Sequence, residues 1–227
     1  MWLINSSVGR KFIMGITGGF LVLFLLFHAT MNIVVLFSAE AYNAICEFLG
    51  ANWYAIAATL VLMAGVVIHF LYALLLTIKN YMARGKSRYA VTDKQEGVSW
   101  ASKNMLILGF TICAFLLLHF YQFWAKMQLV ELLHGADVHF GDFSKAADGA
   151  FWIQYYFSQP VYVGIYLVLL AGLWFHLTHG VWSALQSLGL NNKTWFPRIK
   201  VISKIAATVI ILMFMAVPIG IYIKSLL

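Results

Sequence analysis

Seven histidines occur in this 227-residue sequence. Five of them fall inside long apolar runs, where an ionisable side chain is costly and is a functional candidate by default. His28, His69 and His119 each occupy a separate apolar run, His176 and His179 share a fourth, and His134 and His139 lie in a polar loop. A buried imidazole can hydrogen-bond a neighbouring helix, relay protons or ligate a metal. A lone histidine usually does the first. Four histidine-bearing runs without a single Asp or Glu inside them favour ligation, because a zinc or relay site would gather histidines and carboxylates at one depth. Two imidazoles on one iron leave no open position, which suits electron transfer rather than oxygen or substrate chemistry.

The elements that must hold these histidines follow from composition. The chain is 63% hydrophobic and 10% charged, with mean hydropathy +0.85, more apolar surface than one soluble core can hide. The surroundings must be lipid, and the fold class is an all-α integral membrane protein. Gaps between charged residues, each near the roughly 20 residues a span requires, predict five transmembrane helices near 12–37, 54–78, 104–125, 161–188 and 203–224. Helices 1–4 form the histidine-bearing bundle, within one domain covering 1–227. Pro160 divides the longest gap into a short aromatic entry segment, Phe151 to Phe157, and the fourth helix, which Gly189 stops. The first helix is too long for a signal peptide and is read as retained.

The net charge of +7 falls in short runs between the apolar stretches, which is topology information rather than a nucleic-acid surface. With the N-terminus inside, 12 basic residues lie on the cytoplasmic side and three (Lys126, Lys145, Lys224) outside, while six of the eight acids are outside. Cys46 and Cys113 indicate neither a disulfide framework nor an iron–sulfur or zinc cluster. The loops 80–103 and 126–150 have no glycine-rich phosphate fingerprint, so chemistry on a soluble substrate belongs to another chain.

Depth sorts the histidines. At about 1.5 Å per residue from the inner edge, His28 and His119 lie roughly 25 and 24 Å deep. His69 lies roughly 15 Å deep, His176 roughly 18 Å and His179 roughly 14 Å. An outer pair on helices 1 and 3 and an inner pair on helices 2 and 4 suit two bis-histidine haems stacked across the bilayer. Depth alone leaves His176 and His179 both open for the inner pair. Gly65 and Gly172 sit four residues before the inner histidines, on the same helix face, where a missing side chain leaves room for a porphyrin edge or for close helix packing. By depth, Ser7, Arg10, Lys103 and Ser187 are candidate partners for haem propionates, with Trp100 and His179 beside them.

Four segments carry a resemblance that runs along nearly the whole chain: FLLFHATMNIVVLFSAEAYNAICEFL, VIHFLYALLLTIKN, LLLHFYQFWAKM followed by HGADVHFGDF, and GLWFHLTHGVWSALQSLG. They resemble the di-haem cytochrome b (b558-type) membrane anchors of succinate dehydrogenases and quinol:fumarate reductases, the five-helix, single-anchor form of succinate:quinone oxidoreductase. In the last segment a histidine is followed by Gly180 and then Trp182, and this motif gives the ligand position to His176 rather than His179. The resemblance implies two haem b groups, an outer (distal) one on His28 and His119 and an inner (proximal) one on His69 and His176. It implies partners on the cytoplasmic face, a flavoprotein subunit with covalent FAD and an iron–sulfur subunit, docked on basic loops 79–103 and 193–204. A dimer of such heterotrimers is the implied higher assembly, in the bacterial cytoplasmic (inner) membrane. Quinone, menaquinone in the di-haem type, is expected near the distal haem, with Glu47 and Glu40 as proton carriers and Asn32 and Tyr42 as hydrogen-bond partners. Some relatives have a glutamate two residues before the fourth-helix ligand; here it is Trp174, which removes that proton route.

Two other readings differ in what they demand. A haem b subunit of a membrane hydrogenase or formate dehydrogenase would concentrate its histidines on fewer helices. A transporter with a histidine relay would need an inward-facing carboxylate, and the spans contain none.

Overall fold

The computed structural model describes residues 6–84, 99–133, 143–190 and 192–227. His134 and His139, with much of both long loops, lie outside the described residues. Nine α-helices cover most of the rest: α1 (Ser7–Ile33), α2 (Ala39–Phe48), α3 (Trp53–Arg84), α4 (Trp100–Lys103), α5 (Met105–His119), α6 (Gln128–Leu132), α7 (Gly149–Phe157), α8 (Pro160–Ser187) and α9 (Trp195–Leu226). Five spans built on α1, α3, α5, α8 and α9 are long and apolar enough to cross a membrane, the third running through α5 and a π-helical turn as far as Trp124. The protein is an all-helical, multi-pass membrane protein. Observed helices outrun the charge-free gaps at several ends: α3 continues past Lys79, and α9 contains Arg198, Lys200 and Lys204. Backbone hydrogen bonding persists into the interface, where long basic side chains reach water, so a charge marks the edge of the hydrocarbon rather than the end of a helix.

Local chemistry explains the joints. Ser6 and Ser38 cap α1 and α2, their hydroxyls accepting from Gly9 and Ala41 N–H at 2.8 and 3.1 Å. Pro160 begins α8, where its missing N–H costs nothing. Gly189, at φ +96°, ends it, and the N–H of Leu190 bonds back to the Leu185 carbonyl at 3.1 Å. The aromatic entry segment is itself a helix, α7. Asp148 caps it, accepting from Phe151 N–H at 3.0 Å and from the Asn43 amide at 2.8 Å, which ties α7 to α2.

Packing order matters most for function. Going round a ring, α1 packs against α3 and α8, and α5 packs against α8 and, more lightly, α3. Among the described residues the diagonal partners, α1 with α5 and α3 with α8, make at most marginal backbone contact. Side chains alone meet across the middle. α9 lies outside this ring against α8 and α1, held by Trp174 Nε1 donating to Thr208 at 2.9 Å and by Lys224 Nζ donating to the Leu36 carbonyl at 2.7 Å. Thus Trp174 is a fastener between α8 and α9. The best-packed core gathers at the end opposite the N-terminus, where α2 and α7 cover the bundle with Tyr42, Trp152, Tyr156 and Phe157. A second core joins α8 to α9 through Leu170, Leu173, Leu177, Ala207 and Ile211.

Candidate metal centres

The two diagonals of the ring are the two histidine pairs. His28 on α1 faces His119 on α5 with ring centroids 5.8 Å apart, and His69 on α3 faces His176 on α8 at 6.4 Å. With a metal–imidazole bond of about 2.0 Å and about 1.1 Å from nitrogen to ring centre, two imidazoles facing each other across one metal would have centroids about 6.2 Å apart. Both pairs fall near this separation. Among the described residues no three of His, Cys, Asp and Glu gather closely enough to hold a bare metal ion. Pairs of donors suit a metal that brings an equatorial ring of its own.

Heights come from neighbours on the same helices. His69 Nδ1 lies 3.2 Å from the Thr17 hydroxyl on α1, and Thr17 is eleven residues from His28, about 16 Å along the axis. His119 stands beside Tyr166 on α8 at 6.5 Å, and Tyr166 is ten residues from His176, about 15 Å. Two helices therefore give the same spacing independently. It exceeds the separation expected from the charged ends because Lys11, Lys79 and the other reference residues do not share one plane.

The surroundings of the two pairs differ. The Nδ1 atoms of His119 and His176 are buried without a hydrogen-bond partner, an arrangement that costs free energy in a chain satisfied by its own atoms alone. Aromatic rings frame the first pair: Phe24 stacks on His28 at 5.4 Å, Phe214 stands 5.6 Å from it, and Phe123 lies 5.1 Å from His119. At the second pair, a Cβ on Gly18 would lie 3.3 Å from the His69 ring, so the glycine lets the imidazole approach α1. Gly172 keeps only Thr111 within 4 Å, whereas the room at Gly65 is taken by the Phe20 ring at 3.0 Å. His179 sits one turn beyond His176, edge-on to Trp182 at 4.8 Å, with its Nδ1 also buried and unpartnered.

The remaining candidates separate. Trp100 is exposed and packs on Phe175, itself exposed, 5.0 Å away and adjacent in sequence to His176. Arg10 and Ser187 are half-buried near the N-terminal end, and Ser7 and Lys103 are exposed. At the opposite end the Tyr42 hydroxyl donates to Asn32 Oδ1 at 3.1 Å, and Asn32 Nδ2 donates to the His28 carbonyl at 2.8 Å. Burial, with Cys46 adding to it, pushes the Tyr42 phenol well above its ordinary range, so this hydroxyl stays protonated and acts as a donor. An apolar cleft of about 280 Å³ opens between Phe27 and Met31 of α1 and Ala44, Ile45 and Phe48 of α2, and neither Asn32 nor Tyr42 lines it. Glu40 and Glu47 are exposed on α2, apart from this chain. Cys46 and Cys113 are free thiols.

Neither family models, curated proteins nor solved structures match this chain.

Sequence reasoning missed two polar centres. Glu131 on α6 accepts from Ala51 N–H at 2.8 Å and lies against Gly50, where a Cβ would come within 2.6 Å of its carboxylate. Gln122, 1% exposed, accepts from the Tyr166 hydroxyl at 2.6 Å while its Nε2 has no partner. A lone Glu in a loop and a Gln in an aromatic run carry no pattern; only the fold shows what they face.

Burial raises the Glu131 carboxyl above the usual glutamate range, the Ala51 N–H opposes this and Glu47 adds to it. The folded chain therefore keeps this proton when the unfolded chain has lost it. Stability falls as pH rises from the ordinary glutamate value to the raised one. Thermal melts of the detergent-solubilised protein should show that decline, and Glu131→Gln should flatten it. An unchanged slope in the variant would assign the pH dependence elsewhere.

Proposed function

We propose that this chain is the membrane-anchor cytochrome b of a succinate:quinone oxidoreductase, carrying electrons between an iron–sulfur subunit and menaquinone. The observation that carries this reading is the diagonal pairing of four histidines at two heights about 16 Å apart, each pair with ring centroids near the separation of two imidazoles on one metal. When bound, each haem b supplies a reversible one-electron step.

The chain's own residues do the rest. His69 and His176 would hold the group nearer the N-terminal end, and His28 and His119 the farther one. Two histidines on each would leave no position open to oxygen or substrate. Thr17 sets the orientation of the His69 imidazole through Nδ1. Arg10 and Ser187 stand where propionates of the nearer group would reach the interface. Asn32 bridges the Tyr42 hydroxyl to the backbone of His28, a polar chain next to the farther histidine pair, which suits a quinone ring that exchanges protons as it takes or gives electrons. Lys79, Lys200 and Lys204 lie at the N-terminal end and suit an acidic face on a partner. The soluble partners, the cytoplasmic orientation and the succinate/fumarate reaction rest on the motif resemblance.

Adding succinate to the intact membrane complex should reduce the b-type absorbance, and a menaquinol analogue should drive fumarate reduction. Reduction by formate or hydrogen but not by succinate would move the chain to another class of respiratory complex.

A further inference from the structure

Resting on the redox reading above, we propose that His179 is a positioning residue for the group held by His69 and His176. Its imidazole donates through Nε2 to a carboxylate on the edge of that group, a haem propionate. His179 is the span histidine to which the pairing gives no role. It lies three residues past His176 on α8, about 4.5 Å closer to the N-terminal end.

The ring itself is half-buried, with Nδ1 enclosed and without a partner. An N–H at that atom would be a buried donor with nothing to receive it. The proton of a neutral ring therefore belongs on Nε2, the nitrogen not enclosed in this way. The ring is also held still. It stands edge-on to Trp182 at 4.8 Å, and Trp182 meets Phe196 at 5.7 Å. Lys200 Nζ lies 5.1 Å from the first of those rings and 4.4 Å from the second. A donor fixed in this way loses little freedom when it meets an acceptor. This chain supplies no carboxylate for it among the described residues. Glu40, Glu47, Glu131 and Asp148 are the acids there, and all four belong to the opposite end, around α2, α6 and α7. The neighbouring Thr178 hydroxyl is turned to its own helix, donating to the Phe175 carbonyl at 2.9 Å. Room exists on the same side of His176. Gly180, four residues beyond it and so on its helix face, would meet nothing within 4 Å with a Cβ. Carboxylates on a porphyrin edge avoid hydrocarbon. For the group nearer the N-terminal end, the way to water that does not lead past the farther pair runs by His179, where a charge-assisted hydrogen bond would fix them.

Redox titration of the purified protein, with haem content measured alongside, tests this. His179→Leu should keep both haems and lower the midpoint of one step only, the one that His176→Ala removes. Without the donor the carboxylate's full negative charge favours oxidised iron. The reduction equilibrium should shift about fivefold towards the oxidised form, the size of one hydrogen bond, or about 40 mV. His179→Gln, which keeps an N–H donor, should restore most of the parent value. Both midpoints unmoved in His179→Leu, an equal fall in His179→Gln, or a fall in both steps would overturn the proposal and leave the redox reading standing. A colourless parent protein would overturn that reading and the proposal with it.

Discussion

Replacing His176 with alanine is expected to remove one of two redox steps from the purified protein, while His179→Ala leaves both. The two residues are one turn apart on α8, and both have a buried, unpartnered Nδ1. They differ in what they face: His176 meets His69 across the bundle at 6.4 Å, whereas His179 lies edge-on to Trp182. Without His176 the His69 ring has no partner imidazole, and a haem held at that height would lose one of its two ligands. The farther pair, about 15 Å away along α8, should keep its own step. Redox titration of the visible spectrum reads both outcomes. Loss of a step in His179→Ala with both retained in His176→Ala would reverse the ligand assignment.

Gly15→Leu should be strongly damaging although it lies away from the histidines. Gly15 is buried where α1 crosses α8, and a Cβ there would stand 3.2 Å from the Ala184 carbonyl oxygen and 3.5 Å from the Ser187 Cβ. A backbone oxygen inside a helix cannot swing away, so the helices themselves must separate. Overpacking of this kind costs about 1–3 kcal/mol, and it acts on one of the contacts that set the distance between diagonal histidines. A lowered melting temperature and diminished haem content should appear together. Gly109→Ala, which meets nothing within 4 Å, should change neither; equal damage from both would remove helix spacing as the cause.

Much of this architecture can be read from the chain because lipid imposes one strong rule: apolar runs long enough to span must be helices. The five spans, the Pro160 start and the Gly189 stop follow from that rule and from proline and glycine chemistry. Which helices bring histidines to one height was legible for the same reason, since helices fix depth at a constant rise per residue; depth left His176 and His179 both open, and the motif resemblance chose between them. What could not be read is lateral. Hydropathy shows no preference between neighbours in a uniformly apolar bundle, so the placing of α9 outside the ring, with Phe214 against His28, emerges only in three dimensions. The same holds for the short helices. α2, α6 and α7 bring Asn43 to Asp148 and Gln128 to Thr59 and the Gly50 carbonyl, and no periodicity in sequence marks those pairings. Glu40 and Glu47 attracted attention as carboxylates, yet the polar group nearest His28 is the neutral pair Asn32 and Tyr42.

The most direct test is the haem content and spectrum of the purified chain. Two haem b per chain are expected, both low-spin and six-coordinate, titrating in two one-electron steps. A colourless protein with its helices intact, or a single high-spin haem, would contradict the assignment of these four histidines.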